Sequence, residues 1–340
     1  MNRWLLAGLL VFGGASPGIA QPPTRVKLAT WAPRGSSYHQ MLLAMGEKWR
    51  QAPGGGVTLA VYPDGTMGSE ADIVRKMRVG QLQAGLLTVV GLTEIDTSVS
   101  ALQDMPLMFR SLEEVDRVRQ SLAPDLERRL QEKGFLMLGW GDLGWVRVFS
   151  KQPVVDPSDL AKQKLFVTAS DANQVEILKA MGYQPVPLEW SDILPGLQTG
   201  LIEAAFLHPF FALSSQTYTS APHMLAIDFA PLVGGVVISK RAWDSIPAAA
   251  QKVMAESAAE LGAEIRVKGR AENEESVAAM KKRGLTVHAL PPEAEAKWRK
   301  LAESVYPRIR ASMVPAEVFD QVERLLRDLR ARAEGKSSKP

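Results

Sequence analysis

Residues 84–90 read AGLLTVV, and this continuous apolar run decides the fold class. A helical stretch, Glu70 to Val79, precedes the run and stops at Gly80. An apolar strand that lies next to helices is typical of a parallel sheet covered on both faces. Further upstream, Val26 to Thr30 and the alternating Val57 to Tyr62 predict two more strands with a helix between them. The order β–α–β–α–β predicts an α/β lobe.

The chain continues into a second α/β pattern and then into a long helical region. Further strands are predicted at 136–144, 147–150, 164–167 and 184–187, with helices at 173–181 and 191–198. Residues 233–239 predict a strand that returns to the first lobe. Residues 243–282 and the block from Pro291 to Ala333 are rich in helix formers. Two α/β lobes that the chain crosses more than once, followed by helices, predict a hinged clamshell.

The first twenty residues have the pattern of a removable export signal. Arg3 is followed by a short apolar run from Trp4 to Phe12, and small residues precede a predicted cleavage near Ala20. The chain contains no cysteine, which excludes disulfides, thiolate metal sites and cysteine nucleophiles. An exported, periplasmic location is therefore predicted.

No catalytic signature is evident. The sequence contains no zinc-protease helix motif and no P-loop, and its one G-x-S-x-G pattern, at 14–18, lies in the predicted export signal. A G-x-G-x-x-G pattern is present at 139–144, but it lies within a predicted strand and does not open a helix, as a dinucleotide-binding motif would. The four histidines share no metal-ligand spacing, and the formal net charge of +3 comes without the basic–aromatic pattern of nucleic-acid binding. The sequence predicts a protein that is not an enzyme, with no cofactor, no metal and no nucleic-acid partner.

Four segments in order resemble the solute receptors of tripartite ATP-independent periplasmic (TRAP) transporters. They are YPDGTMGSE at 62–70, MPLMFR at 105–110, DPSDL at 156–160 and LQTGLIE at 197–203. The resemblance covers nearly the whole chain after the export signal. It implies a periplasmic-binding-protein clamshell that delivers a small molecule to TRAP-type membrane permease subunits. It also leaves open a periplasmic helical-repeat partner, and a monomeric or dimeric state.

The pattern and the resemblance together predict the following division of the chain. A signal peptide (1–20) precedes lobe I (25–146, with a returning segment at about 230–260), lobe II (147–229, with part of 261–310), a C-terminal helix (311–333) and a disordered tail (334–340).

At one position this chain departs from the family in a way that affects the ligand. Family members usually grip a small organic carboxylate with an arginine on the strand after the Asp-Leu motif, and here that position is Phe166. Two charge-assisted bonds, at roughly 1.5–3 kcal/mol each, are lost with the guanidinium. Carboxylate binding is therefore expected to be weaker by at least about a hundredfold.

A second segment departs in the same direction. Residues 204–211 read AAFLHPFF where family members carry polar residues that face the ligand. The predicted ligand-binding residues from these two segments are Phe166, Phe206, Leu207 and His208. An alternative remains open, namely that the aromatic side chains fill the core.

Other candidates come from strand ends, where open α/β sheets bind ligands. Trp31, Trp145 and Trp190 are predicted walls of the cleft. Arg147 matches a second family arginine that reaches the ligand, although a structural ion pair near the hinge is an equally good interpretation.

The prediction is a periplasmic receptor for a hydrophobic or amphipathic small molecule. One alternative is a receptor for a small carboxylate of the keto acid or lactate type, held with the help of a cation. Another is a scaffold that binds a protein partner through an apolar cleft.

Overall fold

The computed structural model describes residues 24–337, apart from 55 and 170, so the predicted signal peptide lies outside the described residues. Nine strands form one mixed sheet in the order β2-β1-β3-β8-β4-β7-β5-β6, with β9 paired to β8. The strands are β1 Thr24–Thr30, β2 Val57–Tyr62, β3 Ala84–Thr88, β4 Phe135–Ser150, β5 Lys164–Thr168, β6 Gln184–Leu188, β7 Ala204–Leu207, β8 His223–Ser239 and β9 Thr286–His288.

Twelve α-helices accompany the sheet in the described residues. They are α1 Ser37–Arg50, α2 Glu70–Arg78, α3 Val89–Thr93, α4 Leu112–Glu132, α5 Pro157–Leu160, α6 Ala172–Ala180, α7 Ile193–Thr199, α8 Pro209–Ser214, α9 Lys240–Asp244, α10 Ala248–Lys281, α11 Pro292–Ser312 and α12 Ala316–Ser337. Their ends follow local chemistry: Ser69 and Asp72 form a capping box that starts α2, and Gly200 ends α7 in the left-handed conformation. None of the helices in this part of the chain has the length and apolarity needed to cross a bilayer.

Two long antiparallel strands, β4 and β8, pass through both halves of the sheet. In the first half, β3 pairs with residues 234–238 of β8, and β1 runs parallel to both β3 and β2. In the second half, β7 pairs with residues 147–150 of β4, and β5 runs parallel to β7 and β6. Each half therefore has a parallel three-stranded part that hydrogen-bonds to one of the shared strands. The predicted α/β class is confirmed, and so is the long helical C-terminal region.

The shared strands are longer than predicted. The sequence predicts two strands at 136–144 and 147–150, but β4 is one strand whose ladder to β8 is irregular between Asp142 and Trp145. Gly144 has a φ of +87° at this irregularity, a conformation that costs glycine little. The predicted boundary after residue 146 thus falls inside a strand that both halves share. Likewise β8 begins at His223 rather than at 233.

The C-terminal helix is also longer than the pattern indicates. Helix α12 continues to Ser337, into the segment that the sequence predicts as a tail. Val318 and Val322 of this helix are buried in the chain's own core.

Helix α10 approaches β4 unusually closely, because small residues line the contact. A Cβ atom added to Gly262 would lie 2.2 Å from the carbonyl oxygen of Trp140. A Cβ on Gly139 would lie 2.2 Å from the carbonyl oxygen of Ala258. The helix and the strand therefore pack backbone against backbone.

This contact gives a first prediction. In an exposed helix interior, glycine to alanine would stabilise by up to about 1 kcal/mol. We expect Gly262→Ala to destabilise by about 1–3 kcal/mol instead, because the new methyl must push α10 away from β4. Chemical denaturation measures the difference. Gly46→Ala in α1 is the control, and it should be near neutral because the added Cβ would meet the Leu59 side chain, at 3.0 Å. Equal losses of stability in the two variants would contradict the close-packing argument.

Candidate functional site

A cavity of about 330 Å³ lies where the two halves meet. Its walls come from the carboxyl ends of β1, β3, β5 and β7 and from the middle of β4 and β8. Open α/β sheets bind their ligands at this edge. The cavity is therefore the candidate site.

Aromatic rings form much of the wall. Phe166 of β5 meets Trp190 edge to face at 5.3 Å between ring centroids, and Trp190 meets Phe211 in the same way at 5.4 Å. Phe206 of β7 stacks on Phe229 of β8 at 4.1 Å. All five rings line the cavity. The wall is therefore apolar on the side of the second half.

Trp31 lines the opposite side, where the chain leaves β1. A Cβ added to Gly65 would lie 2.7 Å from the indole, so the indole lies directly on the glycine. Gly65 has a φ of +63°, and its amide donates a hydrogen bond to the carbonyl of Thr30. The PDGT turn and β1 thus hold the Trp31 indole at the cavity.

The structure brings together five of the eight predicted site residues. Phe166, Phe206, His208, Trp31 and Trp190 line the cavity. Leu207 and Trp145 are instead buried in core clusters and are absent from the described lining. Leu207 points away because side chains alternate along β7, which turns Phe206 toward the cavity and Leu207 toward the core behind it.

Arg147 is the eighth predicted site residue, and its partners are protein carboxylates. Its Nη2 lies 2.9 Å from Glu274 Oε1 on α10 and 3.3 Å from Asp228 Oδ1 on β8. Arg147 is not among the described residues that line the cavity. Its buried Nε has no hydrogen-bond partner in the described structure. This placement favours the ion-pair interpretation, since two carboxylates share Nη2 and Arg147 is absent from the described lining.

His208 presents a neutral ring. It is 4% exposed, and its Nε2 lies 2.6 Å from the carbonyl oxygen of Leu143. Because a carbonyl only accepts, Nε2 carries the proton and donates it, which leaves Nδ1 as an acceptor. Burial, followed by the positive charge of Arg147, lowers the pKa of His208 to about 4. The imidazole therefore stays uncharged at neutral pH.

Two further polar residues of the cavity were not predicted as site residues. Asp104 follows the short 3₁₀ helix at 97–102 in the first half, and Asp171 caps α6 in the second half by accepting from the amide of Gln174 at 2.8 Å. Both line the cavity. Burial, and then the charge of Asp171, raises the pKa of Asp104 to about 7. Burial also raises the pKa of Asp171.

The remaining acidic groups of the lining are compensated or exposed. Glu70 accepts hydrogen bonds from the amides of Thr88 and Gly91, both at 2.8 Å. Asp142 receives two bonds of 2.8 Å from Arg270. Glu94 is exposed. Among the described residues no lysine or arginine lines the cavity, so an anionic ligand would find no cationic side chain there.

No cluster of three or more His, Asp or Glu side chains has metal-binding geometry in the part of the chain that is described. His223 and His288 do meet, with Nδ1 and Nε2 3.0 Å apart, but they bond to each other across β8 and β9.

Comparisons with known proteins show which proteins this chain is similar to. The model of the family "Bacterial extracellular solute-binding protein, family 7" matches residues 28–312. The C4-dicarboxylate-binding periplasmic protein DctP of Rhodobacter capsulatus is 24% identical over 271 residues, which are 79% of this chain and 81% of that protein.

Solved structures show the same fold. A TRAP periplasmic solute binding protein from Shewanella oneidensis with bound succinate superposes with a TM-score of 0.82 at 21% identity, covering 89% of this chain and 99% of the other. One from Sulfitobacter sp. NAS-14.1 with bound α-D-taluronate gives a TM-score of 0.78 at 26% identity, covering 89% and 97%. The predicted resemblance and the clamshell fold are confirmed.

Proposed function

Since this chain belongs to the family-7 bacterial extracellular solute-binding proteins, the receptor subunits of TRAP transporters, we propose that its cavity captures a hydrophobic or amphipathic small molecule for the membrane permease. The family serves transport in the periplasm and is not a family of enzymes. Closure of the two halves around the ligand would shift an open–closed equilibrium that the permease subunits can recognise.

One observation carries the choice of ligand. Phe166 and Trp190 form an edge-to-face pair in the cavity wall, and no described lysine or arginine lines that wall. Apolar surface removed from water contributes roughly 25 cal/mol per Å², so a ligand's hydrocarbon part would supply most of the affinity. A succinate or a sugar acid, as found in the two solved relatives, would lose its hydration without gaining a cation in return.

A series of 1-alkanols tests the proposal on the full mature chain. Each added CH₂ group should contribute about 0.8 kcal/mol, so affinity should rise about fourfold per carbon from hexanol to octanol. Isothermal titration calorimetry measures it, and the fluorescence of Trp31 and Trp190 provides a second signal. Saturable binding of succinate at micromolar concentration, or alkanol affinity that does not change with chain length, would refute an apolar site.

The same titration decides the cation-assisted alternative. Succinate is added with and without calcium, because a cation held by cavity carboxylates could bridge to an acidic solute. We expect calcium to make no difference, since the described cavity lacks a cluster of three ligating side chains.

A further inference from the structure

Asp104 and Asp171 face the cavity from its two halves without a basic partner. Neither takes part in a salt bridge among the described residues. Asp171 uses its carboxylate to cap α6, whereas Asp104 has only its neighbour Gln103 as a side-chain hydrogen-bond partner. Two like charges that meet across a partly dry space repel each other, and closing the halves would increase that repulsion.

The other groups around the space are also suited to a positive charge. Trp31, Phe166 and Phe206 line the cavity, and aromatic rings attract ammonium groups. His208 has a free acceptor at Nδ1, because its Nε2 proton is used on a backbone carbonyl. Carboxylates, ring faces and an imidazole lone pair all complement a cation.

A further carboxylate lies next to the cavity wall, beside Tyr38. Tyr38 lines the same cavity and is 4% exposed, and its hydroxyl lies close to Glu272. Burial, and then the negative charge of Glu272, raises the pKa of Tyr38, so the hydroxyl stays neutral. Glu272 therefore places one more negative charge next to the cavity wall, which also suits a cationic ligand.

We propose that the ligand is an amphipathic cation, whose apolar part fills the aromatic wall and whose ammonium group lies between Asp104 and Asp171. This inference rests on the proposed function and specifies the solute class of the same site. The cation turns the repulsion across the cleft into attraction to both halves, so it favours the closed state over the open one. A neutral ligand of the same length gains only the apolar contacts.

Binding should depend on pH in a way that identifies Asp104. Around it, the titratable lining groups are Asp171, Glu70, Glu94, Asp142, His208 and Tyr38. His208 stays neutral above pH 5, and Tyr38 does not ionise at neutral pH. Because the pKa of Asp104 is about 7, this carboxyl is mostly protonated at pH 6 and mostly ionised at pH 8. A cation favours the ionised form, so its affinity should fall from pH 8 to pH 6, and binding at pH 6 should release a proton.

Three probes with the same eight-carbon chain separate the contributions. They are octyltrimethylammonium, 1-octanol and octanoate, titrated calorimetrically at pH 8 and pH 6. We expect the cation to bind at least about tenfold more tightly than octanol at pH 8, and octanoate to bind most weakly. Titration at pH 6 in two buffers of different ionisation enthalpy measures the released proton.

Variants of Asp104 test whether this one carboxyl causes the preference for the cation. Asp104→Asn should abolish the roughly tenfold advantage of the cation over octanol, whereas Asp104→Glu should retain part of it. Asp244→Asn, which removes an exposed carboxylate on α9 and changes the net charge equally, is the control and should keep the full preference.

The outcomes distinguish the two proposals. If none of the three probes binds, the proposed function is wrong. If octanol binds and the cation binds no more tightly, the apolar site stands and the cation inference is wrong. Tightest binding by octanoate, or an unchanged cation preference in a folded Asp104→Asn, would also overturn the inference.

Discussion

Arg270→Ala is expected to lower the free energy of unfolding by about 3–5 kcal/mol. Arg270 of α10 donates two bonds of 2.8 Å to Asp142, whose side chain is completely buried where β4 passes from one half to the other. Without the guanidinium, Asp142 keeps only a 3.3 Å bond from the amide of Gly144. An ionised carboxylate would then remain buried with no counter-charge.

Urea denaturation of the variant and of Arg266→Ala provides the measurement and its control. Arg266 lies one turn earlier on α10 and makes only a 3.7 Å contact with Asp116, so its loss should be below about 1 kcal/mol. Adding Asp142→Asn to Arg270→Ala should recover part of the stability, because the amide carries no charge. Equal losses for Arg270→Ala and Arg266→Ala would show that the buried pair is not what stabilises this crossing.

Phe166→Arg is expected to increase affinity for succinate by about a hundredfold, or ~2.7 kcal/mol. The side chain at 166 lies in the cavity wall, and a guanidinium there can donate two parallel bonds to a carboxylate. Asp104 and Asp171 line the same cavity, so both carboxylates would compete for that guanidinium. The double variant Phe166→Arg with Asp104→Asn should therefore bind succinate more tightly than the single variant.

The control places the same charge elsewhere in the same wall. Phe211 also packs on Trp190, so Phe211→Arg tests whether any added cation suffices. We expect calorimetry to show a gain for residue 166 and a much smaller one for residue 211. An equal gain at the two positions would mean that net charge, rather than the position of the guanidinium, controls carboxylate binding.

Local patterns predicted the elements that depend on local interactions. The strands near residues 26, 57, 84 and 164, and the helices that separate the first three of them, agree with the structure, because periodicity and capping residues act within a few residues. The full length of β8 was not predicted, since Asp228 interrupts its apolar pattern. In the folded chain Arg147 of β4 lies 3.3 Å from that carboxylate, a partner that is distant in the sequence.

The candidate site could also be predicted only in part from local sequence patterns. Phe166 and Trp190 were predicted separately, from a family position and from a strand end, and their rings meet at 5.3 Å. Asp104 and Asp171 were not predicted as site residues, because each is an isolated carboxylate in its own segment. Their significance arises from the tertiary fold, which places both at one cavity and leaves neither with a base.

The long shared strands also determine the order in which the protein can fold. When a nascent chain has reached Ser150, β3 still lacks β8, and β4 lacks both β7 and β8. Unpaired strand edges of this kind recruit other chains, and contacts between distant residues form slowly. The first half cannot complete its sheet before Ser239 has been made, and the second half must wait for β9, which ends at His288. The clamshell should therefore mature as one cooperative unit instead of lobe by lobe.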